Sequence, residues 1–571
     1  MIPRPTGLFL LALVVCVALF ASPSAAGAGH RTAPRTIVFA GDIILGGAIN
    51  AYARDRGAET LLQDIGELRS ADLTIANLES VATTHALTRA EKGGLAPFHF
   101  RARPETLSVL TAAGIDAVAT ANNHSGDYGT SALLEQNQHL ARMGIARVGS
   151  GSTRQEACAP VFLDAGAGIR IALFSADATQ EDFAAEDGPG TCHLDVEDIH
   201  AWEAHFAESL AEAREVAHAT LFAIHWGEQF SGEPANAQRE LGRRLVELGA
   251  DAVLGTNAHA LQGIEVHGDG VIVYDAAHLL SDFDRPVDAA VFSLEVGETG
   301  LVGVEVIPVV AETGFARRAL PHEADRILDN VTAMSAALGG RFSLDRGRIA
   351  LRPDPRGMLR TPEEVLKPQR RSPPRPATSP PAACTTSAVP ERARIDPVEI
   401  GPMTLVGVSI DEERLYLPGL IWIDTYWRVR DRVAEPLWLH PSAAPLGGIV
   451  DAWTSHHEPC DWAWPTSRWQ PGVIYHDRAA LRPPDGARAT DAALTMVAGM
   501  DDPLQVTIGV THDGKEVGRT REVGRVHLGA PPALQLLVVI GLAISPLAAG
   551  LYIRRRRRGL AETSHRTDHT T

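Results

Sequence analysis

The sequence predicts an α/β domain followed by a separate all-β domain. Apolar, strand-like runs alternate with helix-like segments over more than half of the chain, a proline-rich segment interrupts this pattern, and short strand-like runs without helical periodicity follow. Such alternation is typical of a largely parallel or mixed sheet that is covered by helices. With 571 residues, of which 45% are hydrophobic and 21% charged, the chain has room for two or three globular domains.

The elements of the first domain, about 36–350, follow from apolar spacing and length. The strand-like runs are TIVFAGDII, ADLTIANLE, IDAVATANNH, IRIALFSAD, ATLFAIHWGE, DAVLGTNAH and GVIVYDAAH. The helix-like segments are AETLLQDIGELRSA, RPETLSVLTAAG, TSALLEQNQHLARMG and ANAQRELGRRLVELG. In the first of these segments, Leu62, Ile65 and Leu68 recur at helical spacing. The third segment ends at Gly144, which is a typical helix stop.

Residues 367–397 are predicted to form an extended linker. This segment is rich in Pro, Ser, Thr and Ala and has almost no large apolar residue, so it cannot bury a core. The second domain, about 398–528, contains the short strand-like runs MTLVGVSI, LIWIDTYWRV, PLWLHPS, DAALTMVAGM and LQVTIGVTHDGKEVGRTREV. The Asp-Gly pair in THDGKE indicates a hairpin. We therefore expect an accessory β-sandwich of immunoglobulin-like size.

Most of the tryptophans lie in this second domain. They are Trp422, Trp427, Trp438, Trp453, Trp462, Trp464 and Trp469. Exposed tryptophans stack on sugar rings, whereas buried ones fill the core of a sandwich. Packing in the core is the preferred interpretation.

Both ends of the chain carry targeting signals. Arg4 precedes a short apolar run and small residues, which predicts a signal peptide over 1–26. Residues 533–553 are long and apolar enough for a transmembrane helix, and the arginines of 554–558 follow directly. The positive-inside rule places the basic tail 554–571 in the cytoplasm. The sequence thus predicts a single-pass protein of the cell membrane with an extracytoplasmic body.

The net charge and the cysteines narrow the choice of binding partners and of cysteine roles. The formal net charge of -18 argues against nucleic acid as a partner, because phosphate binding needs a basic face. Four cysteines follow the signal peptide, Cys158, Cys192, Cys384 and Cys460, and their spacing matches no zinc motif. Disulfides form in exported proteins, and Cys158 with Cys192 is the preferred pair. Free structural thiols are the alternative.

The strand-like runs of the first domain repeatedly end in polar residues. These endings are Asp42, Asn77 with Glu79, Asn122 with Asn123 and His124, His225 with Glu228, Asn257 with His259, and Asp275 with His278. Ligands of open α/β sheets bind beyond the carboxyl ends of the strands, so we expect these side chains to converge. A single such residue is more often a turn or helix cap, and a single histidine is more often a core residue. Repetition favours a composite site.

The residue types of this composite site indicate metal chemistry. Asp, Glu, Asn and His bind hard or borderline divalent ions, and a carboxylate can bridge two of them. A two-metal site clamps phosphoryl oxygens and generates a hydroxide nucleophile near neutral pH. A free histidine beside it can protonate the leaving oxygen.

Five motifs in order carry a family resemblance: AGDIILGG, NLES, ANNHSGDYG, HWGEQF and GTNAHALQG. Together they resemble the capsule-synthesis CapA family of the poly-gamma-glutamate type, which is related to calcineurin-like metallophosphoesterases. The resemblance covers roughly Arg35 to Val310. It implies a four-layer α/β/β/α metallophosphoesterase-like sandwich, an extracytoplasmic location and a role in capsule or exopolymer synthesis.

The resemblance also implies roles for individual residues. Metal-ligand positions fall on Asp42, Glu79, Asn123, His225, Asn257 and His259, and the catalytic acid falls on His124. Asp42 and His259 correspond to the first metal, Glu79 to the bridging position, and Asn123 and His225 to the second metal. Asn77, Asn122 and Glu228 are further candidates for the same site.

The chain departs from the phosphoesterase pattern at three positions. Ile44 stands where a histidine is usual, Asn257 replaces the first histidine of the last motif, and His278 stands where an asparagine is expected. One or two ions of Mn, Fe or Zn are therefore expected, or none. The leading hypothesis is a metal-dependent hydrolase that acts on a phosphoester or an envelope polymer, together with the capsule-synthesis machinery. The alternative is a non-catalytic factor that binds an anionic polymer or a partner during export.

Overall fold

The computed structural model describes residues 33–526, apart from 85–88, 91, 93–97, 284, 340–346, 352–358, 363, 370, 372–377, 412–420, 435, 446–452, 455–456, 458, 461–463, 482–503, 513–514 and 520–523. The predicted signal peptide, membrane span and basic tail lie outside the described residues. Within the described part of the chain, no helix has the length and apolar character needed to cross a membrane. The domain boundaries stay a prediction.

The elements alternate as expected in the first domain and are almost all strands in the second. The strands are β1 (Arg35–Ile43), β2 (Leu73–Leu78), β3 (Val81–Ala82), β4 (Arg101–Ala102), β5 (Ala117–Ala119), β6 (Ala146–Val148), β7 (Ser150–Gly151), β8 (Val161–Asp164), β9 (Arg170–Asp177), β10 (Gly190–Thr191), β11 (Ala219–His225), β12 (Ala252–Thr256), β13 (Ile264–His267), β14 (Gly270–Val273), β15 (His278–Leu280), β16 (Val287–Gly297), β17 (Gly300–Glu312), β18 (Phe315–Arg318), β19 (Arg348–Ala350), β20 (Thr385–Thr386), β21 (Arg394–Ile400), β22 (Met403–Asp411), β23 (Ile421–Val429), β24 (Trp438–Pro445), β25 (Trp453–Thr454), β26 (Ile474–Leu481), β27 (Leu504–His512), β28 (Lys515–Arg519) and β29 (Gly524–Val526). The α-helices are α1 (Ile49–Tyr52), α2 (Glu67–Ser70), α3 (Ser108–Ala113), α4 (Thr130–Met143), α5 (Arg154–Cys158), α6 (Ile199–Val216), α7 (Asn236–Leu248) and α8 (Pro321–Ala337).

Two mixed sheets form the first domain. The first has the order β18-β17-β16-β1-β2-β5-β6, with β15 beside the end of β1 and β19 beside β17. Its strands β1, β2, β5 and β6 run parallel, whereas β16, β17 and β18 are antiparallel. The second sheet has the order β13-β14-β12-β11-β9-β8, with β9, β11, β12 and β14 parallel. The predicted α/β class with a mixed sheet is confirmed.

Alternating side chains of the second sheet face two different layers. In β11, Leu221 and Ala223 lie in one apolar core with residues of the first sheet such as Phe39 and Ile75. The intervening Phe222 packs instead in a core with side chains of α6 and α7. A strand exposes successive side chains to opposite faces, so the second sheet lies between the first sheet and these helices. The packing brings the carboxyl ends of both sets of parallel strands together.

One predicted helix is wrong in its extent. The segment AETLLQDIGELRSA forms a short 3₁₀ turn at Ala58–Thr60 and then only α2. Gly66 immediately precedes α2, and glycine within a helix costs about 1 kcal/mol relative to alanine. Leu62 and Ile65 are fully buried, so tertiary packing favours the shorter pieces over a continuous helix.

The second domain contains two antiparallel sheets of described strands, as expected for a β-sandwich. Their orders are β20-β26-β23-β22-β21 and β25-β24-β27-β28, with β29 beside β27. β20 lies within the predicted linker 367–397, so this part of the linker packs in the sandwich, with Cys384 buried, and is not a free extended chain. Strands β27 and β28 form the hairpin predicted from THDGKE, with His512 opposite Lys515. The run DAALTMVAGM lies outside the described residues.

The tryptophans that can be located in the sandwich favour the packing role. Trp427, Trp464 and Trp469 are buried in one apolar cluster. Trp422 is near the surface of the first domain, with the guanidinium of Arg89 at 4.7 Å from its ring centroid. The core interpretation is confirmed for the three buried residues, which removes them from any sugar-binding surface.

The preferred cysteine pair is also confirmed. Cys158 at the end of α5 and Cys192 just after β10 form a disulfide. The bond closes a loop between residues 34 apart in the sequence. Loop closure of this kind restricts the unfolded chain and stabilises the fold.

Candidate metal centre

The predicted polar endings meet where the two sheets come together. In the first sheet, Asp42 of β1 is in register with Asn77 of β2 and with His278 of β15. In the second sheet, His225 at the end of β11 is in register with Thr256 of β12. The residues from both sheets that are buried here are Asp42, Asn77, Glu79, Asn122, Asn123, His124, His225, Asn257 and His259.

Three of these residues form a compact ligand set. Asp42, Glu79 and His259 each offer one ligand atom, and these atoms lie within 4.8 Å of one another. His259 Nδ1 lies 3.1 Å from Asp42 Oδ2, and His259 Nε2 lies 3.6 Å from Glu79 Oε1. The first-metal residues of the predicted site therefore adjoin the predicted bridging carboxylate. This arrangement is a candidate metal site.

Glu79 has no hydrogen-bond donor for its carboxylate among the described residues. Both oxygens are buried and without a hydrogen bond, although two further imidazoles approach Oε1. Nε2 of His225 lies at 3.6 Å and Nε2 of His124 at 3.8 Å, beyond hydrogen-bond distance. Burial and the negative charge of Asp42 raise the pKa of Glu79 well above its ordinary value. A buried carboxyl group of this kind is protonated when it stands alone, and a bound cation would stabilise its ionised form.

The pKa of Asp42 is shifted in the opposite direction to that of Glu79. Its Oδ1 accepts a hydrogen bond from Asn77 Nδ2 at 2.7 Å, and its Oδ2 accepts one from the backbone N–H of Asn257 at 3.3 Å. Burial acts to raise the pKa of Asp42, but His259, His225 and the amide of Asn77 outweigh burial and lower it. Asp42 is thus an ionised ligand candidate.

His225 is held by neighbours on both ring nitrogens. Its Nε2 lies 3.1 Å from Asn123 Oδ1, and its Nδ1 lies 2.9 Å from Thr256 Oγ1 and 3.3 Å from Asn77 Nδ2. Burial lowers the pKa of His225, which favours the neutral imidazole that metals require. The predicted second-metal residues, Asn123 and His225, are therefore direct neighbours.

His124 is positioned by two residues that sequence reasoning did not include in the site. Its Nδ1 lies 2.7 Å from Asp127 Oδ2, and Asp127 Oδ1 lies 2.6 Å from Lys92 Nζ. Lys92 Nζ also donates to the backbone carbonyl of Asn123 at 3.1 Å. The ring of Phe100 covers His124 at 4.1 Å between centroids. Asp127 stands in the quoted motif three residues after His124, but nothing in the sequence pointed to Lys92.

This environment leaves Nε2 of His124 as the atom for proton transfer. Asp127 Oδ2 accepts a hydrogen bond from Nδ1–H of His124, and Nε2 faces Glu79. Burial lowers the pKa of His124 to about 4, despite the attraction of Asp127. Burial opposes ionisation of Asp127, but the charges of His124 and Lys92 lower its pKa below the ordinary value.

The side-chain amides of Asn257 and Asn122 donate hydrogen bonds that hold neighbouring segments of the chain in place. Asn257 Nδ2 donates to the backbone carbonyls of Trp226 and Gly227, which leaves its Oδ1 buried and without a partner among the described residues. Its φ of 101° lies in a region that side-chain-bearing residues rarely adopt. Asn122 Nδ2 donates to Leu78 O at 2.9 Å and to Asn77 Oδ1 at 3.2 Å, and so ties two strand ends together.

Three other predicted positions lie at the edge of the centre. Glu228 is exposed and is not brought into the buried cluster. Asp275 accepts from the backbone N–H groups of Ala258 and Ala277, so it supports the loop that carries His259. The ring of His278 lies 5.7 Å from that of His259, and its Nδ1 is buried without a partner among the described residues.

The fold and the centre together define an α/β protein with a buried carboxylate, histidine and amide site at the strand ends of two facing sheets. Residues 36–282 match the family model described as "Bacterial capsule synthesis protein PGA_cap". The predicted resemblance to the CapA family is confirmed.

Curated relatives of this chain carry names from the same area. The chain is 27% identical over 277 residues to "PGA biosynthesis protein CapA" of Bacillus subtilis, covering 48% of this chain and 70% of that protein. It is 23% identical over 288 residues to "Capsule biosynthesis protein CapA" of Bacillus anthracis, covering 49% and 68%. It is 25% identical over 309 residues to a "Probable polyglutamine synthesis accessory protein" of Mycobacterium tuberculosis, covering 50% and 77%.

A solved structure is also similar to this chain. It is TT1561 of Thermus thermophilus, with a TM-score of 0.26 and 12% sequence identity, covering 46% of this chain and 94% of that chain. A TM-score this low supports no statement about fold or activity.

Proposed function

We propose that this protein acts in the synthesis of a capsule or a related exopolymer, and that its first domain carries a metal-dependent hydrolytic centre. The family match and the names of the Bacillus relatives support the biological role. The observation that carries the chemical part is the Glu79 carboxyl group, which is fully buried, has no hydrogen bond among the described residues and faces three imidazoles.

The residues present fit a divalent ion such as Mn, Fe or Zn, because they combine carboxylate, imidazole and amide donors. Asp42, Glu79 and His259 would hold the ion. His225 and Asn123 would be ligands of a second ion. When bound, such an ion polarises a phosphoryl oxygen and activates a water molecule. We place this centre in a four-layer metallophosphoesterase-like sandwich, in agreement with the two facing sheets.

The chain's own residues supply positioning and proton transfer. His124 receives or delivers a proton at Nε2, while Asp127 holds Nδ1 and Phe100 covers the ring face. Lys92 Nζ donates to the other oxygen of Asp127, Oδ1, at 2.6 Å. These contacts favour cleavage of a phosphoester or processing of an envelope polymer. We further propose that the body is extracytoplasmic, anchored by one membrane span, and works with the capsule-synthesis machinery.

A second function is favoured by one observation. Ile44 is fully buried, and its side chain offers no ligand at a position where phosphoesterases use histidine. A centre with too few ligands would instead make the first domain a non-catalytic factor that binds an anionic polymer or a partner during export.

Complementation distinguishes these functions. A strain that lacks the gene is supplied with the wild type, Glu79→Gln or Glu228→Gln, and surface polymer is measured at equal protein levels. The wild type and E228Q, which changes an exposed side chain, restore polymer, whereas E79Q does not. Full restoration by E79Q would contradict the hydrolytic centre and favour the binding role. Failure of the wild type to restore polymer would contradict the role in polymer synthesis.

A further inference from the structure

Two cysteines that are far apart in the sequence meet inside the β-sandwich. Cys384 ends a 3₁₀ turn directly before β20, and Cys460 lies in a turn before β26. Both side chains are fully buried and belong to the same apolar cluster. Neither takes part in the centre described above.

The strand register brings both thiols to the same point of β26. Thr385 is opposite Tyr475 in an antiparallel pair, so the preceding Cys384 comes beside His476. Cys460 Sγ lies 3.9 Å from the backbone carbonyl of His476, and its backbone N–H donates to Asp477 Oδ1 at 2.9 Å. The register and the contacts of Cys460 therefore place both cysteines beside His476, and both are free, buried thiols in the structure.

The pKa of Cys460 is also affected by the nearby Cys384 thiol. Burial and a hydrogen bond with the Cys384 thiol raise the pKa of Cys460 well above its ordinary value. A thiol in these conditions is a poor nucleophile and reacts slowly once the domain is folded. A bond between the two sulfurs must therefore form while the segment is still accessible during folding.

Metal binding does not explain this pair. Among the described residues, the groups of three or more histidine, cysteine or acidic side chains that could hold an ion do not include Cys384 or Cys460. Another pair in the chain, Cys158 with Cys192, is a disulfide, which agrees with the extracytoplasmic body proposed above, since disulfides persist there.

We propose that Cys384 and Cys460 form a second disulfide that fastens the end of the proline-rich segment to the β-sandwich. The bond forms by thiol–disulfide exchange with an oxidised dithiol protein or a small disulfide of the extracytoplasmic space. One cysteine thiolate attacks the oxidant's disulfide and releases a thiol. The second thiolate then displaces the remaining half of the oxidant, which leaves as a second thiol, so two protons and two electrons pass from the cysteines to the oxidant.

The bond also bears on the contact between the two domains. Arg101 Nη2 donates to the backbone carbonyl of Cys460 at 3.2 Å, and the neighbouring Phe100 covers His124. Fixing Cys460 therefore fixes the acceptor that holds Arg101 beside the candidate centre. This consequence rests on the geometry alone and holds whether or not the centre is catalytic.

Peptide mapping of the full-length protein tests the proposal. The protein is isolated from an exporting host, unfolded in acid, alkylated with N-ethylmaleimide without reductant, digested and analysed by mass spectrometry. We expect the peptides of Cys384 and Cys460 as one cross-linked species, and those of Cys158 and Cys192 as another. Alkylation of both Cys384 and Cys460, or a cross-link of either to another cysteine, would overturn the proposal.

A single substitution provides the matched control. In Cys384→Ser, Cys460 should become fully alkylated, while the Cys158–Cys192 species is unchanged. If Cys460 stays protected from alkylation in this variant, its partner is not Cys384, and the proposal is wrong. Both measurements are made on unfolded chains, so they do not depend on the variant's stability.

Discussion

Oδ2 of Asp127 lies 2.7 Å from Nδ1 of His124, and both side chains are almost completely buried. The other oxygen of Asp127 lies 2.6 Å from Nζ of Lys92, which is also buried. Asp127 therefore serves a candidate proton-transfer residue and neutralises a buried ammonium at the same time. Removing its charge leaves Lys92 without an ion-pair partner among the described residues.

We expect Asp127→Asn to lower the free energy of unfolding by about 3–5 kcal/mol, because breaking a buried ion pair strands the remaining charge. The double variant Asp127→Asn/Lys92→Met should recover most of this loss. Urea unfolding of the single and double variants gives the coupling energy. Asp288→Asn, which breaks an exposed pair with Arg326, is the control and should cost less than about 1 kcal/mol. A double variant no more stable than D127N would refute this interpretation.

A second prediction concerns Gly41, which precedes Asp42. A Cβ at this position would lie 1.8 Å from the backbone carbonyl oxygen of Ala277, so the strand or the loop must move. We expect Gly41→Ala to lower the free energy of unfolding by about 3 kcal/mol, the upper part of the usual range for overpacking. In Gly66→Ala the new methyl group meets open space. Chemical denaturation should show G66A to be neutral or slightly stabilising, and equal effects of both substitutions would contradict the packing described.

A third prediction concerns pH and Glu135. Burial acts to raise the pKa of Glu135, but hydrogen bonds from His139, Thr83 and Thr84 outweigh it and lower the pKa from 4.5 to about 2. Because the folded-state pKa is the lower one, the stabilisation is complete above pH 4.5 and is lost as the pH falls toward 2.

The substitution Glu135→Gln tests the direction of this pH dependence. At about pH 6 the variant should be less stable than the wild type by about 1–2 kcal/mol, as expected for weakened hydrogen bonds to a carboxylate. Thermal unfolding between about pH 6 and about pH 3 should show the two proteins converging at the acid end. A gap that stays constant, or widens toward acid pH, would be incompatible with a lowered pKa.

The parts of the site that sequence could predict are those fixed by strand ends. Asp42, Glu79, Asn123 and His225 follow apolar runs directly, and parallel strands place their carboxyl ends at one edge. Lys92 could not be found in this way, because its contact with Asp127 joins segments 35 residues apart and its local sequence shows no strand or helix pattern. The contact depends on tertiary packing alone.

In the fold, too, elements marked by local sequence signals could be predicted, whereas those decided by tertiary packing could not. The helix α4 was predicted within one residue because its apolar spacing and Gly144 both mark it. The continuous helix expected over 58–71 was not formed, because burial of Leu62 and Ile65 outweighs the spacing signal. The side-chain orientation of Asn257 was also beyond the sequence, since it depends on backbone carbonyls of Trp226 and Gly227.

A fourth prediction is that Glu79→Gln changes the melting temperature in opposite directions with and without metal. In chelator the ionisation of Glu79 is costly, because its pKa is raised and its oxygens have no hydrogen bond among the described residues, so the uncharged Glu79→Gln should raise the melting temperature. With added Mn or Zn the wild type should gain stability by binding, roughly 2.7 kcal/mol at an ion concentration of about 100 times Kd, and E79Q should gain little. Differential scanning calorimetry in both conditions shows whether the order of the two proteins changes. An order that is the same with and without metal would contradict a role for Glu79 as a ligand.

The metal content of the purified full-length protein tests the central claim most directly. Elemental mass spectrometry is applied to the wild type, Glu79→Gln and the exposed control Glu228→Gln after incubation with Mn, Fe or Zn and removal of free ions. Near-stoichiometric metal in the wild type and E228Q, with at least a tenfold loss in E79Q, is the result predicted by the buried set of Asp42, Glu79 and His259. Wild-type protein that retains none of these ions would contradict the metal centre and leave polymer or partner binding as the function of this site.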